Sequence, residues 1–193
     1  MARRSAADKA QTREEILLRA SQAFRAHGSG VGIGEVMKEL GLTRGGFYRH
    51  FASKDELLIE AIGLSLSEMA NRLEQAAERA EPGTQIQAII TAYLSSEHLR
   101  HPETWCALAT LAPDIGRQSA TVRKRLDGAL LAYRERMAKY MPGSDPSERA
   151  ATFVILFSGM AGAMALARAI GDKDMREKIL ALARDYYLKT FAG

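Results

Sequence analysis

Hydrophobic residues recur with the 3.6-residue period of an α-helix along nearly the whole 193-residue chain. Ile33, Val36, Met37 and Leu40, for example, are spaced so that they fall on one face of a helix. Alternation of apolar and polar residues, which would indicate strands, is scarce. The pattern therefore predicts an all-α protein.

Clusters of glycine and proline interrupt the helical pattern and divide it into about nine segments. Glycines follow the first and second segments, and Pro-Gly pairs follow the fourth and the seventh. The predicted helices cover about 12–27, 33–40, 43–51, 53–80, 84–99, 104–111, 120–140, 146–170 and 173–191.

Capping signals mark the starts of three of these helices. Thr12 with Glu15, and Ser53 with Glu56, have the spacing of a capping box. Thr43 is a suitable N-cap for the third helix, and Gly41 is suited to ending the second. Only three residues, 41–43, then separate the second and third helices, which is the spacing of a helix-turn-helix.

The third helix has a buried face and a basic, glycine-containing face. Phe47 and Phe51 lie on one side, whereas Gly45 and Arg49 project from the other. Each glycine inside a helix costs about 1 kcal/mol relative to alanine. Close approach of this face to DNA would explain the glycines, because a recognition helix inserts its N-terminal turn into the major groove. The alternative is an ordinary solvated face.

Positive charge is concentrated in the first quarter of the chain. Residues 1–54 contain ten of the 27 Lys and Arg residues but only five of the 23 Asp and Glu residues. Such an excess is typical of a segment that binds a polyanion, usually nucleic acid, although chance asymmetry in a short segment is the alternative.

Residues 41–58, GLTRGGFYRHFASKDELL, resemble the signature of the TetR/AcrR family of repressors, and the resemblance covers about 12–62. It implies a three-helix DNA-binding domain at 1–55 and a helical ligand-binding and dimerisation domain at 56–193. It further implies a repressor that binds a palindromic operator as a homodimer through its last two helices. A small-molecule effector, of unknown identity here, would release the DNA.

The resemblance also implies roles for individual residues. Thr43, Tyr48 and His50 correspond to phosphate contacts, Lys54 to a further one, and Arg44 and Gly45 to base-reading positions. The full predicted DNA-contacting set is Thr43, Arg44, Gly45, Gly46, Tyr48, Arg49, His50 and Lys54. One position departs from the family pattern, because Gly32 stands where the second helix usually opens with a Ser or Thr cap.

The C-terminal half carries weaker signals. Small residues at 158–167 favour close packing of two helices, either across a dimer or within one core. An apolar ligand site requires plastic, aromatic lining, although each candidate can equally be an ordinary core residue. These candidates are Met69, Tyr93, Trp105, Cys106, Tyr133, Met137, Phe157, Met160 and Met164.

Cys106 is the only cysteine, so no intrachain disulfide can form. The surrounding segment resembles one found in a subset of the family, some members of which sense electrophiles or oxidants, and a nearby Arg100 or His101 would lower a thiol pKa. The alternative is a small buried residue. His98, His101, Glu97 and Glu103 lack a strong metal-ligand spacing, so we predict no metal and no cofactor.

Other classes of function fit less well. An enzyme is not expected, because no nucleophile–base set or phosphate-binding loop is present. A DNA-binding architectural protein without an effector remains the main alternative. The uncharged stretch 150–167 approaches membrane-span length, but its many small residues favour a buried interface helix. A membrane-surface protein is disfavoured by the near-neutral C-terminal half, and no secretory signal is expected at the N-terminus. We therefore expect a cytoplasmic protein with no membrane partner.

Overall fold

A computed structural model describes residues 6–192. This part of the chain consists of helices joined by turns and loops and contains no strand. Arg3 and Arg4, which were counted in the N-terminal charge excess, lie outside the described residues. The all-α prediction is confirmed. The helices are α1 (Ala6–His27), α2 (Ile33–Glu39), α3 (Arg44–Phe47), α4 (Lys54–Glu78), α5 (Gln85–Tyr93), α6 (Ser96–Arg100), α7 (Leu108–Gly116), α8 (Ala120–Ala138), α9 (Pro146–Ala169) and α10 (Lys173–Phe191), with a 3₁₀ turn at Pro102–Thr104.

The N-terminal helix begins earlier than predicted. Thr12 lies inside α1, where its hydroxyl donates to the backbone carbonyl of Asp8 at 2.8 Å. The predicted capping box at Thr12 is therefore wrong, because the alanine-rich residues before it already continue the helix.

The recognition helix is shorter than predicted. Regular α-helix covers only Arg44–Phe47, and the chain then continues in tighter turns, with the amide of Arg49 donating to Gly46 and that of His50 to Phe47. Two adjacent glycines make this segment a poor α-helix former, which is consistent with its brevity.

Two boundaries in the C-terminal half also differ. The segment predicted as one helix over 84–99 is divided, because the Ser95 hydroxyl accepts from the amide of His98 and starts α6. The helix predicted at 104–111 instead begins at Leu108 and continues through Pro113.

The other caps are confirmed. The Thr43 hydroxyl accepts from the amide of Gly46 at 3.3 Å, and the Ser53 hydroxyl accepts from the amide of Glu56 at 3.1 Å. Gly41 has φ +66°, the left-handed conformation that ends α2. Gly32 caps α2 without a side-chain hydrogen bond, as expected for glycine.

α4 connects the N-terminal helices to the rest of the molecule. It packs against α1, α5 and α8, and the buried apolar residues form one continuous cluster from α1 to α10. Glu74 of α4 pairs with Arg136 and Lys139 at the end of α8, and these cations lower the pKa of Glu74. The predicted domain boundary at residue 55 falls in the first turn of α4.

α9 is long and apolar enough to cross a membrane, a criterion that core helices of soluble proteins also meet. It packs between α8 and α10 and buries Phe153, Leu156 and Met160 in the core. At Gly159 an added Cβ would clash with the Tyr187 hydroxyl of α10. The absence of a side chain at this position therefore permits the close contact between the last two helices.

Candidate nucleic-acid interface and apolar cavity

The N-terminal turn of α3 presents an exposed, basic surface. Thr43, Arg44, Gly45, Tyr48 and Arg49 are all exposed, and the Tyr48 side chain is 60% accessible. No other group lies within 4 Å of the position that a Gly45 Cβ would occupy. A flat partner can therefore approach the backbone closely at this glycine.

Two buried aromatic rings support this surface from the core side. Phe47 and Phe51 are buried, as predicted, and their rings stack with centroids 5.6 Å apart. The Arg13 guanidinium lies 4.4 Å from the Phe51 ring centroid and donates to the His50 carbonyl at 3.2 Å. It also pairs with Glu60 of α4 at 2.7 Å, an interaction that raises the pKa of Arg13. Arg13 of α1 and Glu60 of α4 thus hold the C-terminal end of the exposed turn, at residues 50 and 51.

The remaining predicted contact residues lie at the edge of this surface. Gly46 is half-buried against Thr43 and Met37, and His50 is also half-buried. Lys54 opens α4 and is half-buried, with its ammonium 6.0 Å from the Phe24 ring centroid. The structure therefore brings all eight predicted residues to one end of the molecule.

A cavity of about 720 Å³ lies between α7, α8 and α9. Its wall is mostly apolar, and Arg134 is the charged residue among those that line it. The lining residues are Tyr93, Cys106, Leu108, Ala109, Thr110, Ala112, Pro113, Leu130, Leu131, Tyr133, Arg134, Phe153, Val154, Phe157, Ser158, Ala161, Gly162 and Ala165.

Four of the nine predicted ligand residues line this cavity. They are Tyr93, Cys106, Tyr133 and Phe157. The other five are buried in the core away from its wall, where their apolar side chains fill space between helices: Met69, Trp105, Met137, Met160 and Met164. Helical periodicity gives both groups the same signal, because cavity walls and packed cores are equally apolar.

The small residues of α9 were missed as cavity residues. Ser158, Ala161, Gly162 and Ala165 line the cavity, whereas Gly159 faces Tyr187 of α10. The sequence pattern indicated helix packing for these small residues. The three- and four-residue spacing of these small positions was the available signal, but it does not reveal which neighbour they face.

The cavity wall contains two buried phenols. The Tyr133 hydroxyl has no hydrogen-bond partner among residues 6–192, and the Tyr93 hydroxyl has only the Cys106 side chain beside it, a weak hydrogen-bonding group. Burial, followed by electrostatic interaction with Cys106, raises the pKa of both tyrosines well above the usual value. Both side chains are therefore neutral donors at physiological pH.

The surroundings of Cys106 differ from the expectation. Cys106 is buried, and Arg25 and Arg168 interact with it electrostatically. His101 is exposed instead and pairs with Glu103 at 3.2 Å.

His98 is buried beside Trp105. Its Nδ1 donates to the Tyr93 carbonyl at 2.6 Å, and its ring stacks on the Trp105 indole. Burial, with a contribution from the Arg168 charge, lowers the pKa of His98 to about 3. His98 and His101 therefore differ in environment, and no three potential metal ligands converge among the residues described.

Two polar links join the cavity wall to the N-terminal helices. The Trp105 carbonyl, adjacent to Cys106, accepts from Arg25 of α1 at 3.2 Å and from Ser65 of α4 at 3.3 Å. Asp114, next to cavity residue Pro113, accepts from the backbone amide of Ser29 at 2.8 Å. Arg25, whose side chain is 1% exposed, also pairs with Glu68 of α4 at 2.9 Å.

The last two helices expose apolar residues on neighbouring faces. Ile155 and Leu166 of α9 are 64% and 54% exposed, and Leu182 and Tyr186 of α10 are 62% and 63% exposed. Gly162 is also exposed on this face of α9. Exposed large apolar residues on two neighbouring helices are typical of a protein–protein contact.

Comparisons with known proteins agree with this architecture. Residues 16–61 match the model of the tetR family of bacterial regulatory proteins. Over 90 residues the chain is 34% identical to the HTH-type transcriptional regulator AcrR of Shigella flexneri, covering 46% of this chain and 41% of that protein. The chain thus spans less than half the length of this curated relative.

Solved structures match over almost the whole chain. A TetR-family regulator from Agrobacterium tumefaciens has a TM-score of 0.75 at 17% identity, covering 96% of this chain and all of the other. The reduced form of E. coli NemR has a TM-score of 0.76 at 18% identity, with 94% and 97% coverage. A TetR regulator from Chloroflexus aurantiacus has 0.74 at 20% identity, with 96% and 98% coverage. At these identities the likeness concerns the fold.

Proposed function

This chain belongs to the TetR/AcrR family of regulators, which are transcription factors rather than enzymes, and on that premise we propose that it is a cytoplasmic, effector-responsive repressor. It binds a palindromic operator as a homodimer and releases it when a small molecule enters the cavity. The observation that carries the proposal is the exposed turn of α3, basic and open at Gly45, on a rigid aromatic base.

The side chains at this turn divide into two roles. Arg44 and Arg49 contact base edges, with Gly45 allowing the backbone to enter the major groove; arginine donates to guanine acceptors there. Phosphates are contacted by the exposed and half-buried groups around them, which position the helix without reading sequence. These groups are Thr43, Gly46 through its backbone, Tyr48, His50 and Lys54.

Dimerisation involves the exposed faces of α9 and α10. Ile155, Gly162 and Leu166 share one stripe of α9, and Leu182 and Tyr186 share one stripe of α10. Pairing these stripes about a twofold axis would bury them in a four-helix bundle. The same symmetry would present two α3 turns to two half-sites of one operator.

Release of DNA follows from the polar links beside the cavity. A ligand that moves α7 would change the hydrogen bond between Asp114 and the Ser29 amide. A ligand that moves the segment around Cys106 would change the hydrogen bond between Arg25 and the Trp105 carbonyl. If DNA and effector favour different positions of these links, each weakens binding of the other by the same factor. α4 would move with them, because Glu68 pairs with Arg25 and the Ser65 hydroxyl donates to the Trp105 carbonyl.

Substitution of Arg44 tests the DNA-binding proposal. Arg44→Ala should weaken binding to the preferred operator by about 1–3 kcal/mol and relax selectivity at one base position. Arg125→Ala, an equally exposed arginine on α8, is the matched control and should leave affinity unchanged. Fluorescence anisotropy with operator and scrambled duplexes measures both, and equal losses in the two variants would contradict the proposed interface.

A further inference from the structure

The two buried phenols of the cavity are the feature that most narrowly restricts its ligand. Tyr93 comes from α5 and Tyr133 from α8, and Phe157 of α9 packs edge-on against both rings at centroid distances of 5.6 Å. Tyr93 is completely buried and Tyr133 is 2% exposed. Both line the cavity, together with Cys106, with which both interact electrostatically.

Unpartnered hydroxyls at such positions are unusual. Most buried polar side-chain atoms have a hydrogen-bond partner, and leaving one without a partner carries a desolvation penalty. Phenylalanine would fill the same space in an apolar wall without that penalty. The Tyr133 hydroxyl therefore contributes no hydrogen bond to the described fold, and the Tyr93 hydroxyl contributes at most a weak one with the Cys106 thiol. A ligand oxygen beside them would satisfy their hydrogen-bonding capacity.

The rest of the wall disfavours a cationic ligand. Among the residues described, no carboxylate lines the cavity, and the one charged lining residue is Arg134, so nothing there compensates a buried cation. Aromatic and aliphatic side chains supply most of the surface, which favours an apolar body. A volume of about 720 Å³ is sufficient for a ligand of two or three fused rings.

We infer that Tyr93 and Tyr133 are the polar recognition groups of the effector cavity, and that they select a largely apolar molecule without positive charge that carries a hydrogen-bond-accepting oxygen such as that of a ketone. This inference rests on the proposed effector cavity and names the chemistry of its ligand. Each phenol hydroxyl donates a hydrogen bond to the ligand oxygen, while Phe157, Phe153 and Leu130 contact the apolar body of the ligand.

A matched pair of rigid probes tests this selection. 9-Fluorenone and fluorene have nearly the same shape, but fluorenone carries a carbonyl where fluorene has a methylene group. Equilibrium dialysis against the full-length protein should show fluorenone binding about tenfold more tightly, from two hydrogen bonds of ordinary strength. Tyr93→Phe and Tyr133→Phe should each reduce this ratio, and the double variant should bring it close to one. Tyr140→Phe, outside the cavity, should leave the ratio unchanged.

Thermal unfolding without a probe separates ligand recognition from a structural role. Because the Tyr133 hydroxyl has no partner in the described fold, Tyr133→Phe should keep or raise the Tm. Tyr93→Phe removes only a weak interaction with the Cys106 thiol and should leave the Tm nearly unchanged. A lowered Tm in Tyr133→Phe, a fluorenone preference that persists in the double variant, or failure of both probes to bind wild-type protein would overturn the inference. DNA affinity is measured on the same samples, because loss of the proposed function would appear as absent DNA binding in wild-type protein, whatever the probes do.

Discussion

Gly159→Ala is expected to disturb the contact between α9 and α10 on which the proposed dimer face depends. An alanine Cβ would clash with the Tyr187 hydroxyl and lie 2.8 Å from the Tyr187 Cζ, so the ring has to move. Overpacking of this kind costs about 1–3 kcal/mol. Alanine also gains about 1 kcal/mol over glycine in a helix interior, which masks part of that cost.

Gly128→Ala in α8 provides the matched control. No atom lies within 4 Å of the position that a Cβ would occupy there, so only the helix-propensity gain of about 1 kcal/mol is expected. The propensity gains cancel when the two variants are compared, and Gly159→Ala should be less stable by about 1–3 kcal/mol.

Calorimetry or circular dichroism measures this difference. It corresponds to a Tm gap of about 2–12 °C for a chain of this size. Adding Tyr187→Phe to Gly159→Ala removes the nearest atom and should recover part of the loss. Equal stabilisation by both alanines would refute the close contact described for α9 and α10.

Three further predictions concern DNA affinity, pH and assembly. Lys54→Ala should weaken binding to all duplexes alike and lower the slope of log affinity against log salt by about one; an effect confined to one sequence would contradict a phosphate role. Burial holds the pKa of His98 at about 3 in the folded protein, below the value of about 6.5 in the unfolded chain. The contribution of His98 to the free energy of unfolding should therefore be constant above about pH 6.5 and should fall by about 1.4 kcal/mol per pH unit between pH 6.5 and about pH 3. Urea titrations at several pH values should show this slope diminished in His98→Asn but retained in the exposed control His101→Asn. Leu182→Glu should convert the proposed dimer to a monomer in sedimentation experiments, because it places charge on the exposed face of α10, and an unchanged dimer would exclude that face.

Local signals were sufficient to predict the DNA-binding end of the fold. Thr43 and Ser53 cap the helices that follow them, and Gly41 ends α2, because these effects depend on residues only a few positions apart. Thr12 had the same local appearance as a cap but lies within α1. A hydroxyl can bond either to amides ahead of it or to a carbonyl four residues behind, and the preceding residues decide which.

The cavity could not be predicted in the same way, because it depends on contacts between distant segments. Tyr93 and Met164 are equally buried and equally apolar in pattern, yet only Tyr93 lines the cavity. On α9, Ser158 faces the cavity and neighbouring Gly159 faces α10, a difference set by the placement of α8 and α10. The link between Asp114 and Ser29 likewise joins residues 85 positions apart.

The central claim is that a dimer of this chain reads a specific DNA sequence through α3. Selection of bound duplexes from a random-sequence pool at near-physiological salt tests it most directly. The account predicts enrichment of one palindrome, with two half-sites spaced by whole turns of the DNA helix, and loss of that enrichment in Arg44→Ala. Salt-sensitive binding without any enriched sequence would contradict the account and favour an architectural DNA-binding protein.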